Sequence, residues 1–500
     1  ICLLHSYANP ASEQRLARAL TPLGLPLSVS HRILAEYREF ERLSTAVVNA
    51  YVAPRMSSHV ERLGRDLRTA RLRVMQSNGS AIGARLARDE SVRTILSGPA
   101  AGVIGASALV RATGVDRFIT FDMGGTSTDV SLFDGRAAIR TLSHPGGYAV
   151  RTPVIDIHTV GAGGGSIAAV DEGGSLKVGP ESAGADPGPA CYGRGEAPTV
   201  TDANLIAGRL VAENFLGGAM RLYPERAAKA ISALGRAMRT NAIGAASGVI
   251  RVVNANMERA VRVITVQRGF DPRDFALMAF GGAGPMHACE LARDLGIRHI
   301  VLPRNPGLLC AWGALQAPLG REYSLTVRDT SPKYRRLAAR AAAMVMRARR
   351  ELAAEGARPA QIRSELFADV RYRGQSYEIE VRLTPRLAAD FHAAHRRTFG
   401  YAAPEAAIEA VNLRLRATAT GAIAAPERLA RSHGQPSPMR RIQVVADGRM
   451  RAVPIYARDK IGAGARIRGP AIVVELSATA YVAPGFTLRA DGFGNLHLEV

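Results

Sequence analysis

The segment Phe121-Asp-Met-Gly-Gly-Thr-Ser-Thr-Asp-Val130 constrains this chain more than any other. One apolar run, Phe118-Ile-Thr-Phe121, enters it and another, Val130-Ser-Leu-Phe133, leaves it. The pattern is strand, glycine turn, strand, a β-hairpin with a polar tip. Glycines allow a tight turn that bares backbone N–H groups, and converging amides attract phosphate; Thr126 and Thr128 add hydroxyl donors. Ionised Asp122 and Asp129 cannot donate to phosphate. Their chemistry is to orient a divalent cation or to position a nucleophile. These residues alone leave two readings open, a phosphate hairpin and a rigid Asp/Gly turn.

A second glycine turn follows the apolar strand Phe275-Ala-Leu-Met-Ala-Phe280, where Gly281-Gly-Ala-Gly284 leads into a helix over 285–295. Strand, glycine turn and helix make a corner suited to an anion or nucleotide. Gly161 to Ser166 offers a third turn, another candidate anion-facing loop. Asp156 and His158 precede it at i,i+2 spacing, which puts both on one face of an extended strand. With Asp122, and with Asp202 or His287, they are candidate ligands of a divalent metal; the other reading of these groups is local hydrogen bonding. Cys191, in the constrained loop Ala185-Asp-Pro-Gly-Pro-Ala-Cys191, reads as a structural thiol because no base lies near it in sequence. Glu258 and Arg262, four apart, read as a surface ion pair, and His287 as a packed or capping residue.

Helices are expected over 12–20, 55–77, 222–237, 246–267, 308–315 and 333–354. Residues 1–4 read as a buried strand, Leu96–Gly102 as a glycine-rich loop before an apolar helix to about Ala112, and 321–328 and 361–384 as strands. Past Leu319 the texture becomes that of an α+β domain ending in short strands, with 422–438 as a linker.

The formal charge of +22 invites a nucleic-acid reading, but only four of the 65 basic residues are lysine and the arginines are scattered in twos and threes along helical stretches. With aromatics at 5% and no aromatic-interleaved basic strip, a general arginine bias is the better account and nucleic acid is not the expected partner. Four separated cysteines form no CxxC pair, and no apolar run has the length of a membrane span. A cytoplasmic setting is the expectation.

Taken in order, FDMGGTSTDVSL at 121–132, TVGAGGGSIA at 159–168, ADPGPACYG at 185–193, FGGAGPMHA at 280–288 and PGLLCAWGA at 306–314 resemble the hydantoinase A/5-oxoprolinase family. Ser6-Tyr-Ala-Asn-Pro10, Glu41-Arg-Leu-Ser-Thr45 and Arg371-Tyr-Arg-Gly-Gln-Ser376 extend the resemblance over nearly the whole chain. It implies an α/β fold of actin and sugar-kinase type. The remainder of a first ribonuclease-H-like lobe would occupy 1–105, a second lobe with the nucleotide motifs 106–319, and a smaller α+β domain 320–500. It implies ATP and Mg2+, with a further divalent metal left open. Asp122 and Asp129 would be catalytic, Gly124, Gly125, Thr126 and Ser127 would form the second phosphate hairpin, and Gly281, Gly282 and Gly284 the adenosine corner.

The reaction so implied is ATP-driven hydrolysis of a hydantoin or 5-oxoproline-like lactam through a phosphorylated substrate, completed with a B-type subunit. A ketone carboxylase subunit and a truncated non-catalytic partner are the alternatives. The family's first phosphate hairpin would precede residues 1–4 and has no counterpart in these 500 residues, so weak ATP binding and little turnover are expected of them alone. Cys310 departs from the resemblance, standing where a small hydroxyl residue is common.

Overall fold

Strand Ile408–Ala419 is buried along almost its whole length, the mark of a central strand covered on both faces. It pairs antiparallel with Leu319–Asp329 on one side and Ile362–Tyr372 on the other. Ile379–Arg382 extends the sheet beyond Ile362–Tyr372, while Ala81–Gly83 and Arg73–Met75 extend it at the other edge, giving six strands. Helix Tyr334–Ala354 turns Leu337, Ala341, Ala348 and Leu352 inward, a helical-period apolar stripe, and leaves its arginines outside. The computed structural model describes residues 1–68, 71–421, 426–430 and 435–500, without the side chain of Arg111.

The chain divides into two compact units, each assembled from three separated stretches. The six-stranded sheet belongs to the first, formed by Ile1–Gly98, Ile139–Val154 and Gln316–Ile423; the second is formed by Pro99–Ala138, Ile155–Leu315 and Ala424–Val500. Residues 320–500, read from sequence as one domain, are therefore shared between the units. The change falls at 423/424, inside the expected linker, of which 422–425 and 431–434 lie outside the described residues. Inside the first unit, Arg414 grips Asp369 with two nitrogens and also reaches Glu36, which Arg151 holds from another direction. All four groups are buried, so removing one would strand charge away from water.

In the second unit, β1 (Arg117–Met123) and β2 (Thr128–Asp134) form the expected hairpin, in register from Arg117 opposite Asp134 to Met123 opposite Thr128. The strands β3 (Ile157–Val160), β4 (Ala276–Phe280), β5 (His299–Leu302), β6 (Arg466–Arg468), β7 (Thr487–Ala490) and β8 (Leu496–Glu499) complete an eight-stranded mixed sheet ordered β6-β7-β8-β5-β4-β1-β2-β3. β4 lies parallel to both β1 and β5 and is wholly buried, as a parallel strand with both faces covered must be. Helices of this region include α1 (Ser97–Ala108), α2 (Val200–Ile206), α3 (Pro224–Ala237), α4 (Ala242–Ile264), α5 (Gly284–Leu295) and α6 (Leu309–Gln316).

Three local expectations are corrected. Ile1 to Leu4 is not a strand, because only Ile1 is bonded as a strand would be, to Ser28 and Ser30, and no ladder follows. The helix expected over 55–77 runs from Glu39 to Asp66, and Arg73–Met75 is a strand paired with Ala81–Gly83. The glycine-rich stretch 96–102 is loop only at Leu96, and from Ser97 it opens α1. A Cβ on Gly102 would press into Phe280 and the Cys310 sulfur, and one on Gly105 into the Leu309 carbonyl. These glycines serve close packing of α1 rather than a turn.

Candidate nucleotide cleft

The β1–β2 hairpin ends in a tip whose first amide is already committed, since Gly124 N–H donates to Ser127 O. The next two amides, of Gly125 and Thr126, have no hydrogen-bond partner among the described residues, and both residues are exposed. A Cβ on Gly125 would meet nothing within 4 Å. The tip thus presents two bare donors on an open side, the arrangement the sequence reading asked of a phosphate hairpin.

The third glycine turn behaves differently. Gly164 and Gly165 donate to the carbonyls of Gly124 and Gly125, and Gly163 donates to Ser166 Oγ. A Cβ on Gly163 would lie 2.7 Å from the Gly125 and Thr126 backbone. The loop 161–165 is therefore a buttress under the hairpin, and the separate anion site considered for it is corrected on that ground.

β1 and β4 are hydrogen-bonded neighbours with Phe280 opposite Asp122, so both glycine turns leave the sheet at the same end. Gly281 has φ +80°, and any side chain there would collide with Met123 O and the Asp122 carboxylate. Ala283 N–H donates to Met123 O, tying the corner to the hairpin. Gly124, Gly125 and Gly164 then line one cavity with Gly282 and Ala283, about 150 Å³ in volume. Tyr192, Leu210, Phe215, Met286 and Leu476 also line it, beside the polar Thr201, Asn204, Asn214 and Glu475. Glycine backbone and aromatic-aliphatic side chains around one cavity suit a ligand with a charged part and a flat apolar part. Gly284 opens α5 beside Phe121 O, and Ser127 supplies the turn carbonyl already described.

Asp122 and Asp129 are register partners across the hairpin. Burial pushes Asp122 up to about 6, opposed by the Cys310 thiol that donates to its Oδ2 at 3.2 Å and reinforced by the nearby Asp129 charge. Burial also raises Asp129, against a hydrogen bond from Thr159 Oγ1. Two cross-strand, partly desolvated carboxylates are the residues that would hold a divalent cation here. The Cys310 departure from the expected hydroxyl thus leaves a hydrogen-bond donor to Asp122 in place.

The other acidic residues and His158 have local roles. Among the described residues no group of three or more His, Cys, Asp or Glu side chains is arranged to hold a metal. Asp156 faces Arg268 in a two-nitrogen ion pair. Asp202 is fully buried and accepts from the amides of Ala190, Cys191 and Thr199 and from Thr199 Oγ1. That is the capping box of α2, signalled by Thr199-Val-Thr-Asp202, a cue the sequence reading passed over. Thr201, in the same first turn, donates through both its amide and its hydroxyl to Gly164 O, fastening helix to buttress. His158 sits on β3 opposite Val130. Cys191 is buried, with its thiol pushed upward by burial and by Asp202, consistent with a structural role. Glu258 and Arg262 pair on the surface as expected.

A cleft fed by two adjacent parallel strands, on a mixed sheet flanked by helices, defines an α/β protein consistent with the actin and sugar-kinase superfamily. The hydantoinase/oxoprolinase family profile matches residues 42–323, and that of the hydantoinase/oxoprolinase C-terminal domain matches 331–500. The chain belongs to the hydantoinase/oxoprolinase family. It is 34% identical to caprolactamase subunit alpha of Pseudomonas jessenii, over 98% of this chain and 74% of the relative. The crystal structure of the ATP-dependent caprolactamase from that organism superposes with a TM-score of 0.85 at 33% identity, covering 99% of this chain and 75% of the other. Acetone carboxylase, solved nucleotide-free in a study of ATP-dependent acetone carboxylation, superposes at 0.82 with 26% identity, covering 100% and 76%. Membership makes the chain part of a superfamily of ATP-dependent hydrolases and carboxylases acting on cyclic amides or ketones. No helix among the described residues is long and apolar enough to cross a membrane.

Proposed function

We propose that this chain is the ATP-using subunit of an enzyme that opens a cyclic amide, a hydantoin or a 5-oxoproline-like lactam, through a phosphorylated substrate. One observation carries the reading: the hairpin tip, with the unpartnered amide of Gly125, lines a single cavity with the glycine corner at Gly282 and with aromatic and aliphatic side chains. Gly125 and Thr126 N–H would hold phosphate, with Gly124 and Ser127 shaping the turn, while Gly281, Gly282 and Gly284 keep the corner clear for the nucleoside. Asp122 and Asp129 would hold Mg2+, which supplies charge neutralisation for phosphoryl transfer. The raised affinity of both carboxylates for protons shows how poorly their charge is otherwise compensated.

An amide carbonyl resists attack because nitrogen donates into it, and phosphorylating the ring oxygen ends that donation, so water can open the ring. A cytoplasmic B-type partner would complete hydrolysis; the similarity to a caprolactamase subunit named alpha supports a multi-subunit enzyme. The acetone carboxylase likeness favours a second reading, in which a ketone is the phosphoryl acceptor and bicarbonate the carbon source.

Purified full-length protein with its B partner should consume a lactam or hydantoin in step with ATP. Consumption of a ketone only when bicarbonate is present would establish the second reading. Failure of the full-length protein to bind Mg-ATP by calorimetry would falsify both.

A further inference from the structure

β6 (Arg466–Arg468) ends the eight-stranded sheet and borders an open groove of about 750 Å³. Residues 466 to 470 all line that groove. Side chains on a strand alternate between faces, so five consecutive residues share a groove only where the backbone edge itself forms the wall. The register shows which groups that edge offers. β6 pairs antiparallel with β7, Arg466 opposite Arg489 and Arg468 opposite Thr487. The flanking bonds, Ala490 N–H to Ala465 O and Gly469 N–H to Phe486 O, put Ile467 at the bonded position between them. Arg466 and Arg468 therefore direct their N–H and C=O groups away from β7, and these groups have no partner among the described residues. They are the open ladder positions of a sheet edge.

The charge along this edge has one sign. Arg441, Arg466 and Arg468 line the groove with no Asp or Glu beside them, and none of the three has an ion-pair partner among the described residues. Arg441 makes one hydrogen bond, to Ala452 O at 3.3 Å. Arg466 also stands directly opposite Arg489, a cross-strand pairing of like charges that is unfavourable until an anion lies over it. The groove floor is the outer face of a second sheet. Arg441, on strand Arg440–Ala446, is the register partner of Pro454 on strand Arg449–Ala457, and Tyr456 shares that face while Val453 and Ile455 are buried beneath it. The Tyr456 ring gives the floor an amphipathic surface on which the side chains of an incoming strand can rest.

We infer that β6 is a docking edge for an extended acidic segment of a partner protein, which adds a strand to the sheet and sets carboxylates against Arg441, Arg466 and Arg468. Charged side chains guard an edge against indiscriminate pairing, because a neutral or basic strand would cover guanidinium groups without neutralising them. An acidic strand neutralises them, so the residues that exclude other strands select this one. Backbone bonds to Arg466 and Arg468 supply affinity, and the alternate side chains supply specificity.

The test is fluorescence anisotropy of the purified protein with a labelled peptide of alternating Glu and Val, with its counterpart carrying Gln for Glu, and with the acidic peptide N-methylated at every second amide, in each of the two possible sets. The acidic peptide should bind about tenfold or more tighter than the glutamine peptide at low salt, and weaken as salt rises. One methylated set should abolish binding and the other retain it, because only one side of the added strand meets β6. The double variant Arg466→Glu, Arg468→Glu, changed at two exposed side chains, should lose the acidic peptide by about tenfold or more. Equal affinity for the acidic and glutamine peptides, or binding of neither, overturns the inference, as do indifference to both methylated sets and a double variant that keeps its affinity. A single-stranded oligonucleotide of equal charge that binds as tightly as the peptide would also overturn it, marking these arginines as a general polyanion surface.

Discussion

Two glycine-rich turns, 124–127 and 161–165, look alike in sequence and differ in what their amides do. The buttress loop spends the amides of Gly163, Gly164 and Gly165 inside the protein, whereas the hairpin tip leaves those of Gly125 and Thr126 without protein partners. Glycine content therefore marks places where backbone comes close to something. Whether that something is protein or ligand depends on where each N–H is directed. Committed groups should govern folding, and uncommitted ones binding.

The largest effect is expected at Asp202. Asp202→Ala would leave four buried donors without an acceptor and should cost about 4 kcal/mol, read as a fall in the denaturant midpoint at unchanged slope. A loss under about 1 kcal/mol would mean the α2 cap is dispensable.

Gly163→Ala should follow, at about 3 kcal/mol, since its Cβ would enter the backbone of the tip. Its nucleotide affinity should drop as well, because the tip must shift; a variant stable and fully competent for ATP would contradict the buttress assignment.

His287, buried with its ring nitrogens against Asn254 and Asn204, comes next and tests a committed group through pH. Burial, with the Arg209 charge adding to it, puts its folded pKa near 4, below the ordinary 6.5, so the unfolded chain takes up the proton first as pH falls. Its contribution is thus present above pH 6.5 and is lost between 6.5 and 4, by roughly 2 to 3 kcal/mol. Stability of the wild type against pH should show this slope across that window, and His287→Gln should flatten it.

Gly125→Ala is the smallest in stability and the sharpest contrast. With open space around the new methyl, unfolding should change by less than about 0.5 kcal/mol, while Mg-ATP binding weakens several-fold as the methyl intrudes on the open face. Equal loss of stability would place Gly125 with the committed group.

Much of this was legible from the residues. Strand, turn, strand at 118–133 and strand, turn, helix at 275–295 rest on local apolar periodicity and turn chemistry, and both appear where expected. Their meeting in one cleft was not readable from spacing, since it follows from the parallel pairing of strands more than 150 residues apart. The start of α1, Ser97–Gly102, reads locally as loop because Gly98 and Gly102 are punctuation there, whereas Phe280, remote in sequence, makes Gly102 a contact site. Asp202 looked like a metal ligand because acidic residues near glycine loops suggest cations. The Thr-x-x-Asp cap spacing carried the better clue.

The pairing of Asp122 with Phe280 in parallel strands has a consequence for how such a cleft tolerates change. Because the hairpin and the glycine corner emerge from adjoining strands, about 4.8 Å apart by sheet geometry, the separation of their two ends is set by hydrogen-bond spacing and not by loop length. Sequence drift in the turns can retune contacts without resizing the gap. A slip of one residue along β4 would instead reverse the facing of every side chain on that strand and dismantle both ends at once.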